Sequence, residues 1–283
     1  MTEENVMDSL RKIAGSIPES DNAQEEFLDP DGFRCCGVCG KRRENEYSMM
    51  GKTLRVRCMC DCEQEEYRKL VDEQRKKEFE MQVHALKSVG LTERRFLEWR
   101  FSNDNGKNPK MDLAKSYVSR WPSMKEKNIG YLIWGNVGTG KSFFAGCIAN
   151  ALMEQGIRVM MTNFSRILNE LNSRFEGKNE WIGHLVSYPL LIIDDLGIER
   201  NSAYAMEMIY NIIDRRYCSK LPLIVTTNLT YQEMTAPDLD LEHQRIYSRL
   251  FEMCIPICFD GEDMRAVEHR EKKEELMQLL RSG

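Results

Sequence analysis

The fold of this 283-residue chain is decided by the segment Gly135-Asn136-Val137-Gly138-Thr139-Gly140-Lys141-Ser142. The segment fits the pattern G-x-x-x-x-G-K-[ST] without departure. A short apolar strand (residues 131–134) leads into it and a helix (residues 142–155) follows it. In that context the glycines let the backbone curl, so that several N–H groups and the N-terminus of the helix face a phosphate. The segment therefore predicts a phosphate-binding loop.

The last residues of the loop carry its chemistry. We expect the Lys141 ammonium group to reach the β- and γ-phosphates of a bound nucleoside triphosphate, and the Ser142 hydroxyl to coordinate Mg²⁺. All eight residues of the segment are candidates for nucleotide binding. The sequence thus predicts ATP and Mg²⁺ as ligands.

The sequence around the loop alternates helices with short apolar strands from about residue 111 onward. This pattern is typical of an α/β fold in which a parallel sheet is covered on both faces. The predicted strands span residues 131–134, 158–162, 190–194, 223–227 and 255–259. The predicted helices include residues 142–155, 204–217 and 262–280.

Two of the predicted strands end in polar residues. The strand at residues 190–194 ends in Asp194 and Asp195. A carboxylate at the tip of a buried strand is costly unless it faces a metal or a partner, so we expect Asp194 to hold Mg²⁺ through water and Asp195 to orient the attacking water. Asn228 follows the strand at residues 223–227, at the same edge of a parallel sheet. It either binds the γ-phosphate or the water, or simply begins a turn.

A cysteine cluster precedes the predicted sheet, with six of the ten cysteines within 28 residues. The pairs Cys36-x-x-Cys39 and Cys60-x-Cys62 are separated by 20 residues that are predicted to form a hairpin of two short strands. Two close thiolate pairs joined in this way suit tetrahedral Zn²⁺. Cys58 can replace Cys60 or Cys62, and Cys35 can replace Cys36. An unliganded reduced cluster is the alternative, and the Cys-x-Cys pair is atypical of iron–sulfur sites.

Composition excludes several classes of protein. There are 40 Lys and Arg residues against 45 Asp and Glu residues, so the net charge of −5 argues against DNA binding by bulk charge. No apolar run approaches 18 residues and the N-terminal residues are acidic, so we expect a cytoplasmic protein without a membrane partner. The four histidines are dispersed, which gives a metal-dependent nuclease no support: His84, His184, His243 and His269.

Four motifs occur in one order and together point to a family. They are the loop at residues 135–142, the acidic strand at residues 191–197, Thr226-Thr227-Asn228, and residues 245–250. The set resembles the AAA+ ATPases of the DnaC-type replicative helicase loaders, a group that includes the IstB-type transposition helper ATPases. The resemblance covers about residues 95–270. It implies an AAA+ P-loop domain with a five-stranded parallel sheet and a minimal lid of one helix.

The resemblance implies roles for further residues. Asn228 matches the sensor-1 position, and Arg249 matches the arginine finger that enters the site of a neighbouring subunit in an ATP-dependent homo-oligomer. Arg245 lies one helical turn earlier and is expected to support Arg249. Arg265 resembles the second sensor. Asp195 stands where most AAA+ enzymes have Glu, and this difference predicts a slow, switch-like hydrolysis of ATP. We therefore expect that Asp195→Glu does not lower the rate of ATP turnover.

The resemblance also implies an organisation and partners. We expect an acidic arm (residues 1–31), a zinc-binding helicase-docking module (32–62), a helical connector (63–110), the AAA+ domain (111–260) and a lid helix (261–283). The expected partners are a hexameric replicative helicase and single-stranded DNA, onto which the helicase is loaded in replication initiation. The alternative is a transposition helper that assembles on duplex DNA, and the cysteine module argues against it because such helpers usually lack one.

Residues that follow the second predicted strand are candidates for contact with single-stranded DNA. The basic candidates are Arg166, Arg174 and Lys178, and the aromatic candidates are Phe164 and Phe175. Aromatic rings next to basic residues can stack on bases while the charges bind the backbone. The alternative is that the two phenylalanines are core residues and the basic side chains are solvated.

Overall fold

The computed structural model describes residues 26–49, 51–197 and 203–266, and the single positions 270, 273, 277 and 280. The chain divides into two compact units, Met1–Phe79 and Glu80–Gly283. Most of the predicted acidic arm and much of the predicted lid helix lie outside the described residues. No described helix has the length and hydrophobicity that crossing a membrane requires.

The first unit contains two small antiparallel sheets. Strand β1 (Glu26–Leu28) pairs with β2 (Arg34–Cys36), and β3 (Glu44–Met49) pairs with β4 (Lys52–Arg57). The predicted hairpin between the cysteine pairs is thus confirmed as β3 and β4. Helix α1 (Asp61–Gly90) follows and contains the boundary between the units in sequence. It overlaps the predicted helical connector, which begins at residue 63.

The second unit is built from alternating helices and strands. After two short 3₁₀ turns, its elements are α2 (Met111–Ser119), α3 (Trp121–Glu126), β5 (Gly130–Gly135), α4 (Lys141–Met153), β6 (Val159–Asn163), α5 (Phe164–Ser173), α6 (Lys178–Val186), β7 (Leu190–Leu196), α7 (Ala203–Ser219), β8 (Leu223–Thr227), α8 (Tyr231–Met234), α9 (Leu241–Met253) and β9 (Cys254–Phe259). All five strands that the sequence predicts are present.

The five strands form one parallel sheet in the order β6-β7-β8-β5-β9. Successive side chains of a strand point to opposite faces, so Leu132 and Ile133 of β5 belong to different halves of the core. Helices α2 and α4 cover one face, and α5, α6, α7 and α9 cover the other. The strands are continuous apolar runs because both faces are covered. The predicted α/β class is confirmed.

Candidate nucleotide site and cysteine cluster

The phosphate loop lies at the carboxyl end of β5 and requires glycine for two different reasons. Gly135, Gly138 and Gly140 have φ angles of +126°, +79° and +92°, a region of backbone conformation that residues other than glycine rarely adopt. In addition, a Cβ atom at Gly135 would lie 2.3 Å from the carbonyl oxygen of Phe259 on β9. The close approach of β9 and the turn of the loop thus both exclude a side chain at position 135.

Lys141 is the cation of the loop and is only 5% exposed. Its Nζ atom donates to the carbonyl oxygen of Gly135 at 2.8 Å and to that of Asn136 at 2.5 Å. Burial lowers the pKa of Lys141, and the nearby carboxylates of Asp195 and Asp194 oppose that shift. The ammonium group is therefore fixed against the loop, within electrostatic reach of the two acidic residues.

Asp194 has the geometry of a magnesium ligand. It is 1% exposed, and its Oδ1 atom accepts a hydrogen bond of 2.6 Å from the Thr226 hydroxyl. Its Oδ2 atom is buried and has no hydrogen-bond partner among the described residues. Burial raises the pKa of Asp194, and the hydroxyl groups of Thr226 and nearby Ser142 act against that rise. An unpartnered buried carboxylate oxygen beside a serine hydroxyl is a donor set that suits Mg²⁺.

Asp195 is set apart from Asp194 by a distortion of the strand. Its φ is +58°, which is uncommon for a residue other than glycine, and the register between β7 and β8 shifts there between Ile193 and Leu196. The Asp195 N–H donates to the Thr226 hydroxyl at 2.9 Å. The side chain is half-buried, so this carboxylate remains accessible to water while its neighbour is enclosed.

Thr226 is a residue to which the sequence analysis gave no role. Its single hydroxyl contacts both acidic residues at the end of β7. The sequence gives one indication of this role: a threonine stands on β8, two positions before Asn228. Asn228 itself is half-buried directly after β8. Because Ile133 pairs with Thr226, Asn228 follows at the same edge of the sheet as the phosphate loop.

The segment after β9 rests on the phosphate loop. The Met264 N–H donates to the Gly138 carbonyl oxygen at 3.0 Å, and a Cβ atom at Gly138 would lie 1.9 Å from Asp263 Oδ1. The same Oδ1 atom accepts from the Arg265 N–H at 2.9 Å. The structure therefore brings Arg265 next to the loop, and it adds Asp263, which the sequence analysis did not single out.

The structure does not bring Arg249 into the group around Lys141. This side chain lies on α9, forms an ion pair of 2.7 Å with Asp214 and donates to the Tyr210 hydroxyl at 3.0 Å. Both partners are on α7. Arg245 is exposed, and its carbonyl oxygen accepts from Arg249 Nη1 at 3.4 Å. Within one chain Arg249 is thus held on the surface of the α7–α9 pair.

The two aromatic candidates for DNA contact have opposite environments. Phe164 is fully buried because it begins α5 on the face that packs against the sheet, so of the two alternatives for this residue the core position is the correct one. Phe175 is 100% exposed in the loop between α5 and α6. Arg174 pairs with Glu170 at 2.6 Å, the Lys178 ammonium group lies over the ring of Tyr204, and the side chain of Arg166 is exposed.

Four cysteines of the first unit come together. The Sγ atoms of Cys36, Cys39, Cys60 and Cys62 all lie within 4.8 Å of one another. Tetrahedral zinc with Zn–S bonds of about 2.3 Å places its sulfur ligands about 3.8 Å apart, so the set fits Zn²⁺. The group of four does not include Cys58 and Cys35, the substitutes that the sequence left open. The Cys58 thiol donates to the Arg42 carbonyl oxygen at 3.5 Å, and the Cys35 thiol donates to that of Phe33 at 3.7 Å.

Backbone contacts shape the cysteine cluster. The Gly40 N–H donates to the Cys36 carbonyl oxygen at 2.8 Å, which closes a tight turn around the first pair. A hydrogen bond from the backbone at Lys41 lowers the pKa of Cys39 to about 6, so this thiol is ionised at neutral pH. A hydrogen bond with Cys39 raises the pKa of Cys62 to about 12. The cluster thus contains one cysteine, Cys39, that is already a thiolate at neutral pH. It also contains a thiol, Cys62, whose ionisation a bound metal has to promote.

The five-stranded parallel sheet, the loop after β5 and the enclosed Asp194 at the end of β7 define a P-loop nucleotide-binding protein of the AAA+ class. Residues 49–272 match the model of the family described as IstB-like ATP binding protein. This match covers well over half of the chain. The protein belongs to the IstB-like ATP-binding family.

Individual relatives agree with this assignment. The replicative helicase loader DnaC of Escherichia coli strain K12 is 31% identical over 130 residues, which are 44% of this chain and 51% of the relative. The chain thus spans about half the length of the curated relatives it matches. A crystal structure of DnaI (TM-score 0.52, 22% identity) covers 62% of this chain and 95% of that one. A crystal structure of the DnaC helicase loader (TM-score 0.52, 22% identity) covers 59% and 100%. These two structures show the shared fold.

Proposed function

We propose that this protein is an ATP-hydrolysing loader that docks on a hexameric replicative DNA helicase and helps to place it on single-stranded DNA. The observation that carries the ATPase assignment is the enclosed Asp194 carboxylate, which interacts with Ser142 of the phosphate loop and whose Oδ2 atom has no hydrogen-bond partner among the described residues. The similarity to DnaC of E. coli supports the assignment as a loader.

The proposed nucleotide chemistry uses the site as described. The Ser142 hydroxyl and, through water, Asp194 Oδ2 hold Mg²⁺, which neutralises phosphate charge when bound. Lys141 and the backbone of residues 135–142 bind the β- and γ-phosphates. Asp195 orients the attacking water and accepts its proton, and Asn228 donates to the γ-phosphate. The short side chain of Asp195 keeps its carboxylate close to the strand, which fits a slow, switch-like hydrolysis.

Two arginines complete the proposed site. Arg265 acts within its own chain, because the Asp263–Gly138 contact holds it next to the loop. Arg249 acts on the nucleotide of a neighbouring copy in an ATP-dependent homo-oligomer, and it has to leave Asp214 to do so. An arginine finger supplied in trans raises hydrolysis by about 10³–10⁵-fold where it has been measured. Hydrolysis therefore depends on assembly.

The remaining parts supply the partners. The four cysteines bind Zn²⁺, and the module around them docks on the helicase. The exposed Phe175, flanked by Arg174 and Lys178, contacts single-stranded DNA together with Arg166. In this proposal the functional division of the chain is the arm (residues 1–31), the docking module (32–62), the connector (63–110), the ATPase domain (111–260) and the lid (261–283).

Light scattering of the full chain mixed with the replicative helicase of its host tests the proposal, with and without ATP. We expect a stable complex of one helicase hexamer with several copies of this protein. Lys141→Ala is the nucleotide control and is expected to change the ATP dependence of the complex. Absence of a complex would overturn the loader assignment. Filaments on duplex DNA that form only with ATP would instead identify a transposition helper.

A further inference from the structure

A buried arginine lies beside the cysteine cluster. Arg43 follows the first cysteine pair in sequence and is 5% exposed. Its Nη2 atom donates to Cys36 Sγ at 3.8 Å, and Cys36 Sγ lies within 4.8 Å of the sulfur atom of Cys60. One arginine thus contacts a sulfur atom of the first cysteine pair, next to the sulfur atoms of the second pair.

The position of Arg43 is fixed from the other side by carboxylates. Its Nη1 atom donates to Glu26 Oε1 at 2.8 Å, and Nη2 lies 3.5 Å from Glu63 Oε1. Glu63 also accepts from the Cys60 N–H at 3.1 Å. The backbone of Arg43 takes part as well, because its N–H donates to the Arg34 carbonyl oxygen at 2.7 Å. These contacts hold the guanidinium group in one orientation toward the sulfur atoms.

The chemistry of a four-cysteine site explains why a cation belongs there. Four thiolates around one Zn²⁺ leave two uncompensated negative charges in a partly buried place, where charge is costly. A hydrogen bond from a guanidinium group compensates such charge and draws electron density from sulfur.

We propose that Arg43 is the charge-compensating, positioning residue of the cysteine site, hydrogen-bonded to Cys36 Sγ and thereby strengthening the binding of Zn²⁺. The inference rests on the zinc site of the proposed function. In this arrangement Glu26 and Glu63 orient Arg43, and Arg43 orients Cys36.

The proposal is tested by measuring the zinc affinity of the whole 283-residue chain. The protein competes for zinc with a chromophoric chelator. Arg43→Met keeps the apolar stem and removes the charge, and we expect zinc to bind about 10–100-fold more weakly. Arg43→Lys restores the charge and is expected to recover part of the affinity. Arg34→Met is the matched control, because Arg34 also pairs with Glu26 but is exposed. It should change the affinity about fivefold at most.

The outcomes separate the inference from the zinc site itself. If the unmodified protein binds no zinc, the proposed site fails. If it binds zinc and Arg43→Met behaves like Arg34→Met, the role of Arg43 is wrong. Loading the unmodified protein with an NMR-active cadmium isotope provides a measurement that needs no variant. Scalar coupling between the metal and the Arg43 Nη protons is expected, and its absence in a cadmium-loaded site would also overturn the proposal.

Discussion

The hydroxyl group of Thr226 donates to the Oδ1 atom of Asp194 at 2.6 Å, across two neighbouring strands of the sheet. The hydroxyl oxygen of Thr226 also accepts a hydrogen bond from the Asp195 N–H. One side chain therefore orients the carboxylate proposed to hold Mg²⁺ and the backbone of the residue proposed to orient water. Thr226 occupies Oδ1 of Asp194, and Oδ2 has no hydrogen-bond partner among the described residues.

Thr226→Val removes this donor with little change of shape, and we expect ATP turnover to fall by about 10–100-fold, the cost of a lost hydrogen bond to a buried charge. The hydrogen bond from Thr226 opposes the burial that raises the pKa of Asp194, so its loss raises that pKa further. Asp194 has to be ionised to hold Mg²⁺. On acidification, Thr226→Val should therefore lose activity at a higher pH than the unmodified protein. The pH profile of ATP hydrolysis measures this shift.

Thr227→Val is the control for that experiment. The Thr227 hydroxyl is also buried, but it donates to the Leu196 carbonyl oxygen at 2.7 Å and not to a carboxylate. We expect this variant to lose stability without a shift of the acidic limb. Equal shifts in the two variants would contradict the role of Thr226.

Asp263→Ala is expected to release the segment that presents Arg265. The Asp263 carboxylate accepts the Arg265 N–H and packs against Gly138, and loss of a cap of this kind costs about 1 kcal/mol. Steady-state kinetics should show ATP turnover reduced several-fold. Glu262→Ala changes an exposed neighbour and serves as control. Unchanged kinetics in Asp263→Ala would mean that the segment does not position Arg265.

Asp214→Asn weakens the contact that holds Arg249 on its own chain. If Arg249 acts on a neighbouring copy, the variant should reach its maximal rate of ATP hydrolysis at a lower protein concentration, because the arginine is released more easily. Arg249→Ala should show a low rate at every concentration. Glu252→Gln is the control, since Glu252 accepts from the Tyr217 hydroxyl of the same helix pair. If Asp214→Asn leaves the concentration dependence of ATP hydrolysis unchanged, the ion pair with Asp214 does not restrain Arg249.

Phe175→Ala and Phe164→Ala should have opposite effects. Phe164 is fully buried, so its truncation is expected to lower the free energy of unfolding by about 3–5 kcal/mol in denaturant titrations. Phe175 is fully exposed, so its truncation should leave stability unchanged. It should weaken binding of single-stranded DNA by about 1–3 kcal/mol, measured by fluorescence anisotropy. Unaltered DNA affinity in Phe175→Ala would remove this residue from the interface.

The fold was predictable from the sequence because its signals are local. Strand β5, the loop at residues 135–142 and helix α4 adjoin in the chain, so their order alone identifies the nucleotide-binding unit. The alternation of apolar strands with helices predicted the parallel sheet, because only strands covered on both faces are apolar throughout. The paired cysteine spacing likewise predicted a cluster of four thiols, but it left Cys35 and Cys58 open as substitutes, and the folded chain leaves both outside the group.

Contacts between distant residues depended on the tertiary structure. Phe164 and Phe175 are both phenylalanines near basic residues, and only the packing of α5 on the sheet made one a core residue. The roles of Thr226 and Asp263 arise where separate strands and the segment after β9 meet the phosphate loop, which no local pattern encodes. The sequence by itself thus determined the fold and the phosphate loop, and it limited the candidates for the metal site to six cysteines. The tertiary structure decided which hydroxyl orients Asp194 and which arginine faces the sulfur atoms, because hydrogen bonds between distant residues exist only once the chain has folded.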